Sequence, residues 1–372
     1  MKRIFVGQFL HNNDAELEKR ISQAANSYQN KVIEILKPDL SISVLPFFEN
    51  TDSYFTNPDY KVELISRSQP YSNLWFSKVI KMCKDIRESY MIIAKSDIRT
   101  IWFYNVNITF LLLGLCLRIF NRKKSLFAII ADYDNSCKLI PTVIRFFIFN
   151  GLEGVVALSE NIRHQNKVII PGILFERDII HRNQSILRKT VLMSGSLGRT
   201  TGFEFALNYF SKRKEYNLLI TGKPYGYDDK DFDDLISFYV NRSSNIEFLG
   251  LVSLDKYYTL LSSCDIGISF RSPSDYEHNY NFPSKILEYL SCGLFVISTK
   301  KYTALDQEVY YFTEYDEDAL DNVMSNIYSM SEIDVVNKRN YISSYLVNRF
   351  TEKVFNNSIV LIENNSHNHS QA

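Results

Sequence analysis

The chain has 372 residues, 45% hydrophobic and 23% charged, which is too long for one ordinary domain and suits two globular domains of about 150–190 residues each. Lys+Arg and Asp+Glu both number 42, so no global field favours a nucleic acid and a DNA-binding role loses ground. Five scattered cysteines (Cys83, Cys116, Cys137, Cys264, Cys292) form no C-x-x-C pair, which suits buried thiols in a reducing compartment rather than a disulfide framework or a zinc site.

The start, Met-Lys-Arg-Ile-Phe-Val-Gly, has a basic flank but too short an apolar run for a signal peptide, so residues 4–6 read as a first strand. Strands are predicted at 41–45, 100–104, 126–131, 155–158 and 168–170, with helices at 74–88, 107–118 and 138–149. Residues 106–120 are the most apolar stretch, but they contain Asn107 and Arg118 and fall short of the ~20 residues of a membrane span. A buried helix is the better reading. Residues 118–124 and 145–149 combine cations with aromatics, and two readings stay open: core plus surface loop, or contact with an anionic membrane at ~1 kcal/mol per cation. Loops 46–60 and 271–280 are long enough to shape acceptor and donor pockets, and residues 171–189 read as an interdomain connection.

The second half alternates regularly. Strands are predicted at 190–193, 216–221, 246–249, 265–270, 294–298 and 309–312, and helices at 203–211, 231–240, 254–262 and 316–329. Such alternation gives parallel strands with helices on both faces, and ligands bind beyond the carboxyl ends of the strands. The turn 194–202, Ser-Gly-Ser-Leu-Gly-Arg-Thr-Thr-Gly, follows a strand and opens a helix, where glycines let backbone N–H groups approach a phosphate. The acidic run from Asp228 to Asp234 fails as a calcium loop, because its sixth position is Asp234 and its twelfth Val240; it reads as an acidic helix start. Residues 332–363 read as final helices, and 364–372, with His367 and His369, as a polar disordered tail rather than a metal site.

Residues 281–298 carry the most information. Phe282-Pro283-Ser284 leads into a short helix with an apolar stripe of Ile286, Leu287 and Leu290, ended by Gly293 and followed by a buried strand. Ser284 and Lys285 fall in the first turn, where free N–H groups and the helix dipole attract anions. Glu288 follows one turn after Ser284 on roughly the same face, positioned to accept hydrogen bonds from a ribose. That makes a nucleotide-diphosphate cradle. A solvated Lys285–Glu288 helix pair, worth ~0.2–0.5 kcal/mol, is the competing reading.

The segment Pro283-Ser284-Lys285-x-x-Glu288-Tyr289-Leu290-x-x-Gly293 resembles the donor-binding segment of GT-B glycosyltransferases, particularly family 4. The resemblance is strong over residues 190–300 and looser over the first half. It implies an α/β protein of two doubly wound Rossmann-like domains facing a cleft: an acceptor-binding domain at 1–172, with a helix at 346–363 packing back on it, and a nucleotide-sugar domain at 186–345. It implies that Gly195, Ser196, Arg199, Leu249, Phe282, Pro283, Ser284, Lys285 and Glu288 line the donor site. In this scheme Glu288 holds the ribose, Lys285 offsets charge on the leaving diphosphate and Leu249 packs on the base. Two departures stand out. Tyr280 occupies the place of an earlier Glu that reaches toward the donor sugar. Ser196 and Thr201 replace an Arg and a Lys of the phosphate clamp, leaving Arg199 between them as a substitute.

Asp132-Tyr133-Asp134 after a strand has the form of the metal–diphosphate motif of the GT-A fold, but that fold would not need the regular second half. In a GT-B frame Asp132 contacts the acceptor or acts as a base; capping helix 138–149 is the equal alternative. The resemblance implies transfer from a nucleotide-diphosphate sugar to a glycan or polyprenyl-linked acceptor. It further implies retention of configuration, no essential metal or cofactor, and bacterial surface polysaccharide synthesis (lipopolysaccharide or capsule) in the cytoplasm or at the inner membrane face. The alternatives are a GT-B sugar-nucleotide epimerase and a non-catalytic nucleotide-sugar-binding or scaffold protein.

Overall fold

The computed structural model describes residues 2–10, 23–44, 62–65, 75–132, 138–273 and 284–369. They form two compact units, one comprising Met1–Ile173 with Glu352–Ala372 and the other Leu174–Thr351.

The first unit is built on seven parallel strands: β1 (Arg3–Gly7), β2 (Leu40–Val44), β3 (Val62–Ile65), β4 (Thr100–Tyr104), β5 (Ser125–Ile130), β6 (Gly154–Ala157) and β7 (Lys167–Ile169). Their order is β3-β2-β1-β4-β5-β6-β7. Both faces are covered, so the strands are apolar at nearly every position and read as runs rather than alternations. One face, with Ile4, Val6, Ile42, Ile101, Phe103, Ala128 and Val155, packs under α2 (Trp75–Lys95), α3 (Ile108–Phe120) and α4 (Leu139–Gly151). The other, with Phe5, Trp102, Phe127, Ile129 and Val156, packs under α1 (Gln23–Leu36) and the chain's last helix, Glu352–His369.

That last helix is held by a buried polar cluster. The Arg3 guanidinium donates to both Glu363 carboxylate oxygens, each at 2.8 Å, and the Trp102 indole N–H donates to Oε1 at 2.9 Å. The pair is bidentate and nearly inaccessible, with side-chain exposures of 11% and 2%. Asn166 adds a bond from its side-chain amide to Ile362 O at 2.9 Å.

The second unit holds six parallel strands: β8 (Thr190–Leu197), β9 (Asn217–Pro224), β10 (Ile246–Phe248), β11 (Ile266–Ser269), β12 (Phe295–Ser298) and β13 (Tyr311–Phe312). The order β10-β9-β8-β11-β12-β13 turns back between β8 and β11, the crevice where such sheets hold ligands. Its helices are α5 (Phe203–Ser211), α6 (Asp229–Val240), α7 (Leu254–Ser263), α8 (Ser284–Ser291), α9 (Glu317–Tyr328) and α10 (Glu332–Phe350); the last helix of the first unit is α11. Asp228, Ser253, Asp316 and Ser331 each accept the N–H three residues on, so the short polar residues start four of these helices. The acidic run at 228–234 is accordingly a capped helix start.

The structure departs from the sequence reading at several points. α1 and β3 were not predicted. α2 runs on to Lys95 because Ile92 and Ile93 continue its apolar face. Residues 364–369, expected to be a disordered tail, continue α11, and Ser366 is buried there, its hydroxyl bonded to Glu363 O. The turn expected at 194–202 is narrower, because β8 stays paired with β9 as far as Leu197–Pro224. Loop 46–60, Tyr133, Asp134 and most of loop 271–280 lie outside the described residues.

Candidate donor site

The candidate site forms at the carboxyl edge of the second sheet, where β8 and β9 end and α8 begins. Gly222 and Gly195 face each other in ladder register, both with positive φ (+151° and +113°). A Cβ on Gly222 would stand 1.9 Å from Gly195 O, so only glycine permits this approach. A Cβ on Gly195 would lie 3.7 Å from Lys285 Cε, which places the glycine turn against the first turn of α8. Gly195 and Lys285 therefore meet, and Ser284 is the first residue of the same helix. Ile286, Leu287 and Leu290 anchor the opposite side of α8 in the core, and Gly293 ends it at φ +73°, as expected.

Lys285 Nζ donates to Glu288 Oε2 at 2.7 Å, and the two side chains remain 33% and 39% exposed. The pair is more than a surface ion pair, because Tyr257 from α7 lies beneath it. Lys285 Nζ is 4.5 Å from the Tyr257 ring centre and 3.2 Å from its hydroxyl, and that hydroxyl is 3.0 Å from Glu288 Oε2. Ser194 Oγ is 3.0 Å from the Tyr257 hydroxyl and 2.9 Å from the Tyr289 hydroxyl, while Ser194 N–H donates to Tyr289 Oη at 2.9 Å.

Donor and acceptor capacity assigns every proton here. An ammonium only donates and a carboxylate only accepts, so Tyr257 accepts from Lys285 and gives its one proton to Glu288. Ser194 must then donate to Tyr257, and Tyr289 to Ser194. The result is a one-way chain, Tyr289 to Ser194 to Tyr257 to Glu288, with each hydroxyl satisfied. Burial holds both tyrosines well above the usual phenol range; neighbouring charge adds to this at Tyr257, while the Ser194 bonds pull Tyr289 only part of the way back, so both remain donors at any ordinary pH. Sequence reasoning missed Ser194, Tyr257 and Tyr289 as one unit, because no local spacing links positions 63 and 95 residues away from Ser194.

The other expected site residues are placed as follows. Ser196 is exposed and pairs in register with Lys223. Arg199, read as the substitute cation of the phosphate clamp, is exposed, with its Nε 3.3 Å from Glu204 and its guanidinium over the Tyr227 ring. Leu249 is half-buried beside Gly250, whose carbonyl accepts from Gly222 N and Thr221 Oγ1. Phe282, Pro283 and Tyr280 lie outside the described residues. Asp132 belongs to the first unit, where its N–H donates to Asn105 Oδ1 at 3.2 Å. The N-cap position of α4 is Lys138, whose own side chain makes no capping bond.

Residues 188–329, wholly within the second unit, match the family model described as Glycosyl transferases group 1. No curated protein matches the chain. Among solved structures, the trehalose-6-phosphate phosphatase N-terminal domain of Candida albicans is similar at TM-score 0.71 and 13% identity, covering 98% of this chain and 97% of that one. HepE of Anabaena, in complex with UDP and glucose, is similar at TM-score 0.65 and 14% identity, covering 97% and 98%. Sucrose-phosphate synthase of Thermosynechococcus elongatus is similar at 0.68 and 13%, covering 100% and 99%. The fold is GT-B. Two parallel-sheet Rossmann-like units account for the likeness over the whole chain. The group 1 match falls on the half that carries Gly195, Lys285 and Glu288, and together these findings support a GT-B glycosyltransferase.

Proposed function

We propose that this chain moves a sugar from a nucleotide-diphosphate sugar to a glycan or lipid-linked acceptor. The supporting observation is the meeting of the Gly195 turn, the Lys285 ammonium and the Glu288 carboxylate at the carboxyl edge of the second sheet. The amides at the start of α8 and Lys285 would take the diphosphate, and Glu288 would accept from the ribose hydroxyls. As the sugar bond breaks, negative charge builds on the leaving diphosphate, and a cation already fixed there stabilises that state more than the ground state.

Lys285 and Glu288 pair with each other at 2.7 Å. A donor therefore exchanges one ion pair for two contacts, phosphate on lysine and ribose on carboxylate, while Tyr257 keeps a hold on both side chains. HepE binds UDP and glucose in its own structure, which makes uridine donors the first to test. Retention of configuration, membership of family 4, a role in surface polysaccharide synthesis and action at the inner membrane face extend the same reading by resemblance.

Calorimetric titration with UDP, GDP and their sugars tests it. We expect one of these donors to bind, and Lys285→Ala and Glu288→Ala each to weaken binding by about tenfold or more. Unchanged binding in both variants would overturn the site.

A further inference from the structure

Two helices of the first unit are apolar on the side turned away from the sheet as well as toward it. α3 buries Phe110, Leu113 and Leu117 yet exposes Ile108, Leu115 and Ile119, spaced as one outward stripe, with Phe120 at its end. α4 buries Phe147 and Ile148 yet exposes Leu139, Val143 and Phe146, again one stripe, with Ile140 and Phe149 beside it. Leu139 is 79% exposed, Phe120 and Phe146 are each 70%, and Ile119 is 60%. The stripes are neighbours, because Phe147 packs where a Cβ on Gly114 would stand 2.4 Å away, and Arg118 Nε donates to Gly151 O at 2.8 Å. On the opposite face of that sheet, α11 exposes only Val360 and Leu361 among its large apolar residues that are described. A grouped apolar surface of this kind marks an interaction site.

The charges select the partner. Neither α3 nor α4 contains an aspartate or glutamate. Arg122 and Lys123 are exposed just beyond α3, Lys138 is exposed at the start of α4, and Arg145 lies within it. A second copy would bring two cationic rims together. An anionic lipid surface meets both requirements at once, taking apolar side chains below its headgroups and cations among them. Each helix has 13 residues, and no described helix is long and apolar enough to cross a membrane, so the helices would lie in the interface.

We infer that the outward face of α3 and α4 docks this protein on an anionic membrane. The inference does not depend on the donor-site reading, and its failure would leave that reading intact. The test is flotation of the full chain with phosphatidylglycerol-containing vesicles and with pure phosphatidylcholine vesicles. The comparison includes Ile119→Ser/Phe146→Ser and Arg122→Glu/Lys123→Glu, with unfolding midpoints measured to confirm that these exposed sites leave the fold unchanged. Expected are flotation with the anionic vesicles, weakening in high salt, and about tenfold weaker partitioning for each double variant. Absence of flotation at low salt, or flotation unaltered by the serine pair, overturns the inference. So does a dimer seen by light scattering that the serine pair dissolves, since the face would then be a contact between copies.

Discussion

At the scale of single residues, Tyr257 carries the most testable chemistry. Its hydroxyl proton goes to Glu288, and its oxygen takes bonds from Lys285 and Ser194. Phenylalanine keeps the ring under the Lys285 ammonium and removes only the hydroxyl. We therefore expect Tyr257→Phe to weaken nucleoside-diphosphate binding by about tenfold, the scale of one hydrogen bond to a charged group, with little loss in unfolding midpoint. Titration calorimetry beside a thermal melt checks this, and equal affinity would show that the hydroxyl does not position the pair. The Lys285–Glu288 pair itself was legible in the sequence, since a three-residue spacing on a helix fixes which side chains meet. The tyrosine chain beneath was not, because its members come from β8, α7 and α8 and meet only after the sheet is assembled. Arg199 lies in the turn as its sequence position requires, while its contacts with Glu204 and the Tyr227 ring come from residues that local spacing does not reveal.

At the scale of elements, α2 and α11 give opposite lessons about buried charge. In α2, Asp85 is 6% exposed, and burial pushes its carboxyl up to about 6, although Lys81 one turn earlier pulls the other way and Glu88 adds to the rise. The folded-state value exceeds the ordinary one, so folding takes up a proton between roughly pH 4 and 6, and ionised Asp85 is a cost that appears as pH rises through that window. The unfolding midpoint of Asp85→Asn minus that of the native chain should thus grow from pH 4.5 to 7; a flat difference would contradict the assignment. In α11, Glu363 is fully matched by Arg3 and Trp102. Glu363→Ala would strand a buried guanidinium and an indole N–H, and urea unfolding should show a loss of about 3–5 kcal/mol. Neither α11's closing residues nor β3 was visible beforehand. The Ser-, Asn- and His-rich end of α11 lacks local helix signals and is helical where Ser366 and Glu363 are buried. β3 is four residues long and gains its definition from pairing with β2.

At the scale of the whole chain, fold class was the most legible property, because twelve of the thirteen described strands leave short apolar runs at regular intervals. The route of the backbone adds something that apolar runs do not encode. The second unit is one uninterrupted stretch, Leu174–Thr351, and its two ends are stitched by a parallel bridge between Leu174 and Thr351 and a 2.8 Å bond from Leu174 N to Phe350 O. The first unit, by contrast, is assembled from two separate stretches, Met1–Ile173 and Glu352–Ala372, with α11 covering strands made hundreds of residues earlier. During synthesis the first sheet must therefore wait, one face bare of α11, until residues 352–369 have emerged, whereas the inserted stretch can close before them. Excised as residues 174–351, that stretch should melt cooperatively and keep the parent's nucleotide affinity, while a chain stopped at 351 should leave its amino-terminal half aggregation-prone.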